Sequence, residues 1–404
     1  MRAPSLVLAI ALFAAAVGSA AEPAQQPAAK PAEEKSAAPA PDEKQTREQM
    51  AQIFAAMRYL LPLSLDKDRF EDPSQRQRVS DALALLDRSA GMLAQHGSSR
   101  EVPFAHLSRT LAIDARDIHE RYEQGHVREA RYLVQTLTET CVACHSRLES
   151  PHDAPRSKDF LRDAAVEKLP LAQRAKLAYA TRQFDEAFVL YGKLLDDRTV
   201  TATDIDLEGH LDDYLELVVR VRGEPGSADA ALARFAARPD LSPALRGEVE
   251  RWRAALRKLA ARGPVADPVA TARAEVQQVE KLRPEVDERG TLVEYLDASA
   301  LLHRFVADGR PPHTDQAEAY YWLGLIETRI GRSFWLSQAE AYLETAIRLA
   351  PGTPVAARSY ALLEDFLTNG YSGSGGEHLP PDVREKMALL KQISAGETPA
   401  SKRD

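Results

Sequence analysis

The residues with the clearest chemistry are Cys141-Val142-Ala143-Cys144-His145. C-x-x-C-H is the sequence to which a c-type haem is attached: two thiols bond to the haem vinyl groups, and the imidazole ligates the iron. On an α-helix, Cys141, Cys144 and His145 occupy positions i, i+3 and i+4, so one face presents all three. These cysteines are the only two among 404 residues. The motif therefore predicts one covalently attached haem c, with His145 as an iron ligand.

Three other uses of a close cysteine pair fit the sequence less well. A thioredoxin-like redox pair belongs in a βαβ setting, whereas the apolar spacing around this motif is helical. A zinc site would need a second pair of ligands at matching spacing, and none follows the motif. A separation of three residues within a helix is a poor frame for a disulfide bond. Haem attachment remains the prediction.

The N-terminal residues predict export from the cytoplasm. Haem is attached to such a motif outside the cytoplasm, so the motif requires export. Arg2 precedes an apolar run at 6–17, and Gly18-Ser19-Ala20 offers small residues for cleavage. That run is too short for a membrane span, which needs about 20 residues. We therefore predict a signal peptide at 1–20, a periplasmic location, and no transmembrane segment after cleavage. An uncleaved N-terminal anchor is the alternative.

Composition argues against one class of partner and indicates one segment that does not fold. The net charge of −8 argues against a nucleic-acid partner. Residues 21–44 are mostly Ala, Pro, Glu, Gln and Lys without a large apolar side chain, which predicts a disordered tether.

Four amphipathic segments follow the tether. Their predicted bounds are 46–61, 74–97, 103–125 and 126–148. Pro62 is predicted to end the first of them, because proline lacks the N–H that continues a helix. Short connections between successive helices favour antiparallel neighbours, so residues 45–150 are predicted to form an up-down-up-down four-helix bundle around the haem.

A methionine near the start of the first helix and C-x-x-C-H near the end of the fourth resemble the class II cytochromes c, of the cytochrome c-prime type. The resemblance covers about 46–150. It implies that His145 is the proximal ligand, and that the opposite face of the iron is either vacant or closed by a first-helix methionine. Two features depart from the family. Arg47 precedes Met50 by three residues rather than four, and the chain continues far beyond the motif.

Four side chains are predicted to lie near the height of His145 in such a bundle. They are Met50, Met92, His96 and His106. Met50 lies on the apolar stripe of its helix and matches the first-helix position of the family, so it is the predicted sixth iron ligand. His106 and an open site are the alternatives, while His96 is expected to be solvated at a helix end.

Residues 168–396 predict a second, α-helical domain. Segments 182–187 and 317–351 resemble tetratricopeptide repeats, which favours a TPR-like solenoid over an irregular helical bundle. Further amphipathic helices are predicted at 205–221, 228–237, 243–259, 269–282, 292–306, 355–367 and 383–393. The glycine-rich segment 370–376 lacks the G-K-[ST] ending of a phosphate-binding loop, so it is expected to be a flexible linker. Trp252, Trp322 and Trp335 are expected to pack between helices.

These patterns predict an all-α protein: a four-helix haem domain followed by a helical-repeat domain. The leading functional hypothesis is a periplasmic monohaem c-type cytochrome that transfers single electrons and binds a redox partner protein through the helical repeats. The chain is not expected to be an enzyme, because the sequence indicates no catalytic base, nucleophile or substrate pocket. The alternative is a haem protein that binds or senses NO or CO at an open distal site. A redox or peroxide-handling enzyme would need a polar acid–base group above the iron.

Overall fold

The computed structural model describes residues 41–98, 102–146, 161–162, 164–282, 289–307, 312–331, 337–374 and 376–397. The predicted signal peptide and the predicted tether up to residue 40 lie outside them, as does Trp335. The described chain is almost wholly helical, which confirms the all-α prediction.

The first five helices contain the motif. They are α1 Pro41–Ser64, α2 Lys67–Phe70, α3 Arg76–Gly97, α4 Val102–Glu123 and α5 Val127–His145. Helix α1 continues through Pro62, so the prediction that Pro62 ends it is wrong. Pro62 lacks only its own N–H bond, and Leu63 and Ser64 after it still belong to the helix. The end of α1 is held from α5 instead, because Gln135 donates a hydrogen bond of 2.6 Å to the Ser64 carbonyl.

Helices α1, α3, α4 and α5 pack as successive antiparallel neighbours. Near the start of α3, Ser80 donates a hydrogen bond of 2.5 Å to Glu123 at the end of α4. Near the end of α4, Arg121 donates one of 2.9 Å to Glu129 at the start of α5. Their apolar stripes meet in one core. Its buried members include Leu60, Leu83, Leu86, Ile118, Tyr122, Val134 and Leu137.

Thirteen helices follow α5 in the described chain. They are α6 Ala164–Glu167, α7 Leu171–Ala180, α8 Phe184–Asp196, α9 Ala202–Leu207, α10 His210–Glu216, α11 Asp229–Ala236, α12 Pro243–Ala260, α13 Pro268–Leu282, α14 Leu292–Ala307, α15 His313–Ile330, α16 Ala339–Leu349, α17 Pro354–Gly370 and α18 Pro381–Ser394. Trp252 and Trp322 are buried between helices, as predicted.

The chain departs from the predicted elements at three places. The segment 205–221 is broken between α9 and α10, because Gly209 adopts a left-handed conformation with φ of 74°. After α10 the chain continues as a π-helical turn, Leu217–Arg222. The expected linker 370–376 contains an antiparallel hairpin, β1 Ser372–Gly373 and β2 Gly376–Glu377.

No helix among the described residues has the length and apolar character needed to cross a bilayer.

Helices α15 and α16 approach closely at Gly324. A Cβ atom at this position would lie 2.6 Å from Leu343 Cγ, so Gly324→Ala requires the two helices to move apart. We expect this substitution to lower the free energy of unfolding by about 1–3 kcal/mol, as measured by urea denaturation. Gly192→Ala in α8 is the matched control, since no neighbouring group lies within 4 Å of the place its Cβ would occupy. Its free energy of unfolding should instead rise by roughly 0.5–1 kcal/mol, because alanine has a higher helix propensity than glycine. Equal effects of the two variants would contradict this packing argument.

Candidate functional site

The motif lies in the last turns of α5. Cys141, Cys144 and His145 are all helical, and Ser146 caps the helix, so the predicted common face is present. The three side chains are half-buried, and the two cysteines are free thiols rather than a disulfide. The structure therefore brings the three predicted attachment residues together.

His145 is oriented by a backbone carbonyl from a later helix. Its Nδ1 lies 2.7 Å from the carbonyl oxygen of Ala180, at the end of α7. A carbonyl oxygen can only accept a hydrogen bond, so Nδ1 carries the hydrogen and Nε2 carries the lone pair. No residue in the described ranges forms a hydrogen bond with Nε2. This is the tautomer that binds a metal through Nε2.

The charge state of His145 is also the one that metal ligation needs. Burial lowers the pKa of the imidazole to about 4, and the nearby guanidinium of Arg182 contributes to the lowering. The hydrogen bond to Ala180 acts in the opposite direction. The ring is therefore neutral near pH 7, which metal ligation requires.

The turn between α7 and α8 makes the Ala180 carbonyl available. The last carbonyls of a helix have no intrahelical donor, so Ala180 can accept from a side chain. Arg182 follows in a left-handed conformation with φ of 60°, which costs a residue other than glycine about 1–2 kcal/mol. Its backbone N–H donates to the Tyr179 carbonyl at 3.0 Å, and that of Gln183 to the Ala178 carbonyl at 2.8 Å.

Cys141 packs against the core of the later helices. Burial raises the pKa of its thiol to about 12, and the neighbouring Cys144 adds to the rise. A reactive redox pair needs a thiol with a lowered pKa, since the thiolate is the nucleophile. The surroundings of Cys141 therefore disfavour a thioredoxin-like use of this pair.

Met50 lies on α1 at a height close to that of His145. Ser64 of α1 is bonded to Gln135 of α5, and these two helices are antiparallel. Phe54 lies ten residues before Ser64, and His145 lies ten residues after Gln135, so Phe54 and His145 are at about the same height. Met50 is four residues before Phe54, which places it about 6 Å beyond His145 along the helix axis. Met50 is half-buried against the core of α1, α3, α4 and α5, whereas Cys141 packs on the later helices. The role of Met50 as sixth ligand stays a prediction.

His96 and His106, the two histidines predicted to lie near the height of His145, are both partly buried. His106 is half-buried on α4. His96 is half-buried at the end of α3, and its Nε2 is enclosed with no hydrogen-bond partner among the described residues. His96 is therefore only partly solvated, and its Nε2 is not. The glycine that follows it is buried, whereas Gln95 and Ser98 on either side are exposed.

A large hollow of the described chain is remote from the motif. It has a volume of about 930 Å³ and is lined by Arg121, His126 and Tyr132 around the turn between α4 and α5. At 1.5 Å per residue, this turn lies roughly 20 Å along α5 from Cys141. A smaller hollow of about 70 Å³ adjoins the motif at Val142 and Ala143.

No family model, curated protein or solved structure matches this chain. Function is therefore inferred from the residues of the site. Ala180 is the residue that sequence reasoning missed, because any residue can supply a backbone carbonyl and no side-chain type marks it.

Proposed function

We propose that this protein is a periplasmic monohaem c-type cytochrome that transfers single electrons. Cys141 and Cys144 attach the haem, and His145 is an iron ligand. The observation that carries the proposal is the hydrogen bond of 2.7 Å between His145 Nδ1 and the Ala180 carbonyl, beside two free thiols on the same helix. It holds the imidazole in the tautomer that iron ligation needs.

The residues of the site fit the cofactor. A bound haem supplies reversible one-electron oxidation and reduction at its iron. The two thiols anchor it to one face of α5, and His145 offers a neutral nitrogen from that face. The Ala180 carbonyl fixes the ring orientation and makes the imidazole more electron-rich, which favours the ferric state. The apolar core of the later helices, against which Cys141 packs, excludes water from that thiol.

The finer architecture is also a proposal. We infer that α1, α3, α4 and α5 form the four-helix bundle of a class II cytochrome c, because they are successive antiparallel neighbours with one shared core. We infer that α7–α18 form a TPR-like solenoid, which the close approach of Gly324 to Leu343 supports. On this proposal the solenoid binds the redox partner protein.

The visible spectrum tests the proposed function against its alternative. For electron transfer, we expect covalently bound haem with a sharp low-spin spectrum in both redox states, unchanged by CO. A high-spin spectrum that shifts with CO would overturn electron transfer in favour of a small-gas binder. A purified, exported protein without haem would overturn both.

Met50→Ala tests the proposed sixth ligand. If Met50 ligates the iron, the variant should lose the ferric thioether-to-iron absorption at the red edge of the spectrum and have a lower reduction potential, because methionine ligation raises it. Met57→Ala is the control, since it removes a methionine from the same helix about 10 Å deeper. A Met50→Ala spectrum identical to that of the unmodified protein would exclude Met50 and make His106 the next variant to measure.

A further inference from the structure

A buried ionic network lies against the motif end of α5. Ser146, the residue after His145, donates a hydrogen bond of 2.8 Å to Glu216 Oε1 on α10. Arg220 Nη1 donates to the same oxygen at 2.6 Å, and Arg220 Nε donates to Ser299 at 2.7 Å. The second terminal nitrogen of Arg220 lies 3.7 Å from Glu327 Oε1. The side chains of Arg220, Glu216 and Glu327 are only 3%, 12% and 1% exposed.

A second pair extends this network along α5. Lys176 on α7 contacts Glu139 of α5 at 2.8 Å and Asp213 of α10 at 2.9 Å. The Asp213 side chain is fully buried and also accepts a hydrogen bond of 2.8 Å from Tyr191. The network therefore contains four carboxylates, Glu139, Asp213, Glu216 and Glu327, and two cations, Lys176 and Arg220, so carboxylates outnumber cations by two.

Part of this network lies against the two residues that separate the cysteines, on the side of α5 opposite to the thiols and His145. Val142 and Ala143 line the hollow of about 70 Å³ together with Glu216, Arg220 and Glu327. Arg220 is placed there by the π-helical turn Leu217–Arg222, an irregularity that occurs frequently at functional sites. These groups are therefore about 10 Å, the diameter of a helix, from the face that carries the thiols and His145. Because they are shielded from water, their fields are weakly screened at that distance.

We propose that this network sets the reduction potential of the haem, with Glu216 and Glu327 favouring the ferric state and Arg220 opposing them. The proposal rests on the function proposed above. The ferric haem carries one more positive charge than the ferrous haem, so a buried negative charge nearby stabilises the ferric state and lowers the potential. A buried positive charge has the reverse effect.

Three single substitutions give an electrostatic signature. Glu216→Gln and Glu327→Gln should each raise the potential, and Arg220→Gln should lower it. Each is expected to change the ferric-to-ferrous equilibrium about tenfold, which corresponds to about 59 mV for one electron. A merely structural role predicts another pattern, because loosening the packing exposes the haem to water and moves all three potentials in the same direction.

Two further variants complete the design. Glu344→Gln on α16 is the control: this partly buried carboxylate is paired with Lys386 and Arg348, so it should leave the potential unchanged. If Arg220→Gln does not fold, as judged by circular dichroism, the double variant Glu216→Gln with Glu327→Gln should raise the potential about twice as much as either single variant.

The measurements separate the failure of this inference from that of the proposed function. Redox titration is applied only after covalent haem has been demonstrated in each full-length, exported variant. Absence of haem from the unmodified protein overturns the proposed function. Haem that is present, with potentials unchanged or all shifted in one direction, overturns the inference about the network alone.

Discussion

Replacing both Cys141 and Cys144 with alanine is expected to abolish all haem that survives denaturation. On the proposed function, each thiol supplies one of the two covalent bonds to the haem, and no other cysteine can replace them in this chain. The exported variant should leave no haem stain after denaturing electrophoresis, while the unmodified protein gives one band. The expected effect is therefore a complete loss rather than a partial one.

The single variants and a neighbouring substitution serve as controls. Cys141→Ala and Cys144→Ala should each retain some covalent haem through the remaining thiol. Val142→Ala changes the same segment without removing a thiol, so it should retain the full amount. Covalent haem in the double alanine variant would show that attachment takes place elsewhere.

Arg238→Ala is expected to have the largest effect on stability. The Arg238 side chain is only 1% exposed and donates to the carbonyls of Asp197 and Val200 at 2.6 and 2.7 Å. It also forms a two-bond pair with Asp240, at 2.9 and 2.8 Å. Alanine would leave these carbonyls in the protein without their donor. We expect a loss of about 3 kcal/mol in the free energy of unfolding, as measured by urea denaturation.

The control for Arg238→Ala is Arg234→Ala. Arg234 pairs with Asp196 at 3.0 Å, but its side chain is 55% exposed, so solvent screens the pair. Its removal should cost at most about 1 kcal/mol. Similar losses from the two variants would contradict the role assigned to the buried hydrogen bonds of Arg238.

Apolar spacing was sufficient to predict most of the helices. The segment predicted at 243–259 is the helix Pro243–Ala260, and that predicted at 269–282 is Pro268–Leu282. Both carry a stripe of buried residues at helical spacing, which sequence alone displays. The break at Gly209 was missed, because glycine is also tolerated within a helix, and only its backbone conformation distinguishes the two cases.

The candidate site was predictable where side-chain type carries the chemistry. Cys141, Cys144 and His145 could be recognised from their spacing, whereas the Ala180 carbonyl could not. Arg220 and Arg238 were also missed, because arginine is normally exposed and its burial depends on partners that are distant in the chain. The extension of α1 through Pro62 depends in the same way on contacts from α5.

The most direct test of the account is whether the mature protein carries covalent haem. The full-length protein, exported together with haem-maturation machinery, would be extracted with acidified organic solvent and its remaining chain weighed by mass spectrometry. The account predicts a chain heavier by one haem, with the added mass on the peptide that contains Cys141 and Cys144. A chain at its apoprotein mass, with the haem released into the solvent, would contradict it.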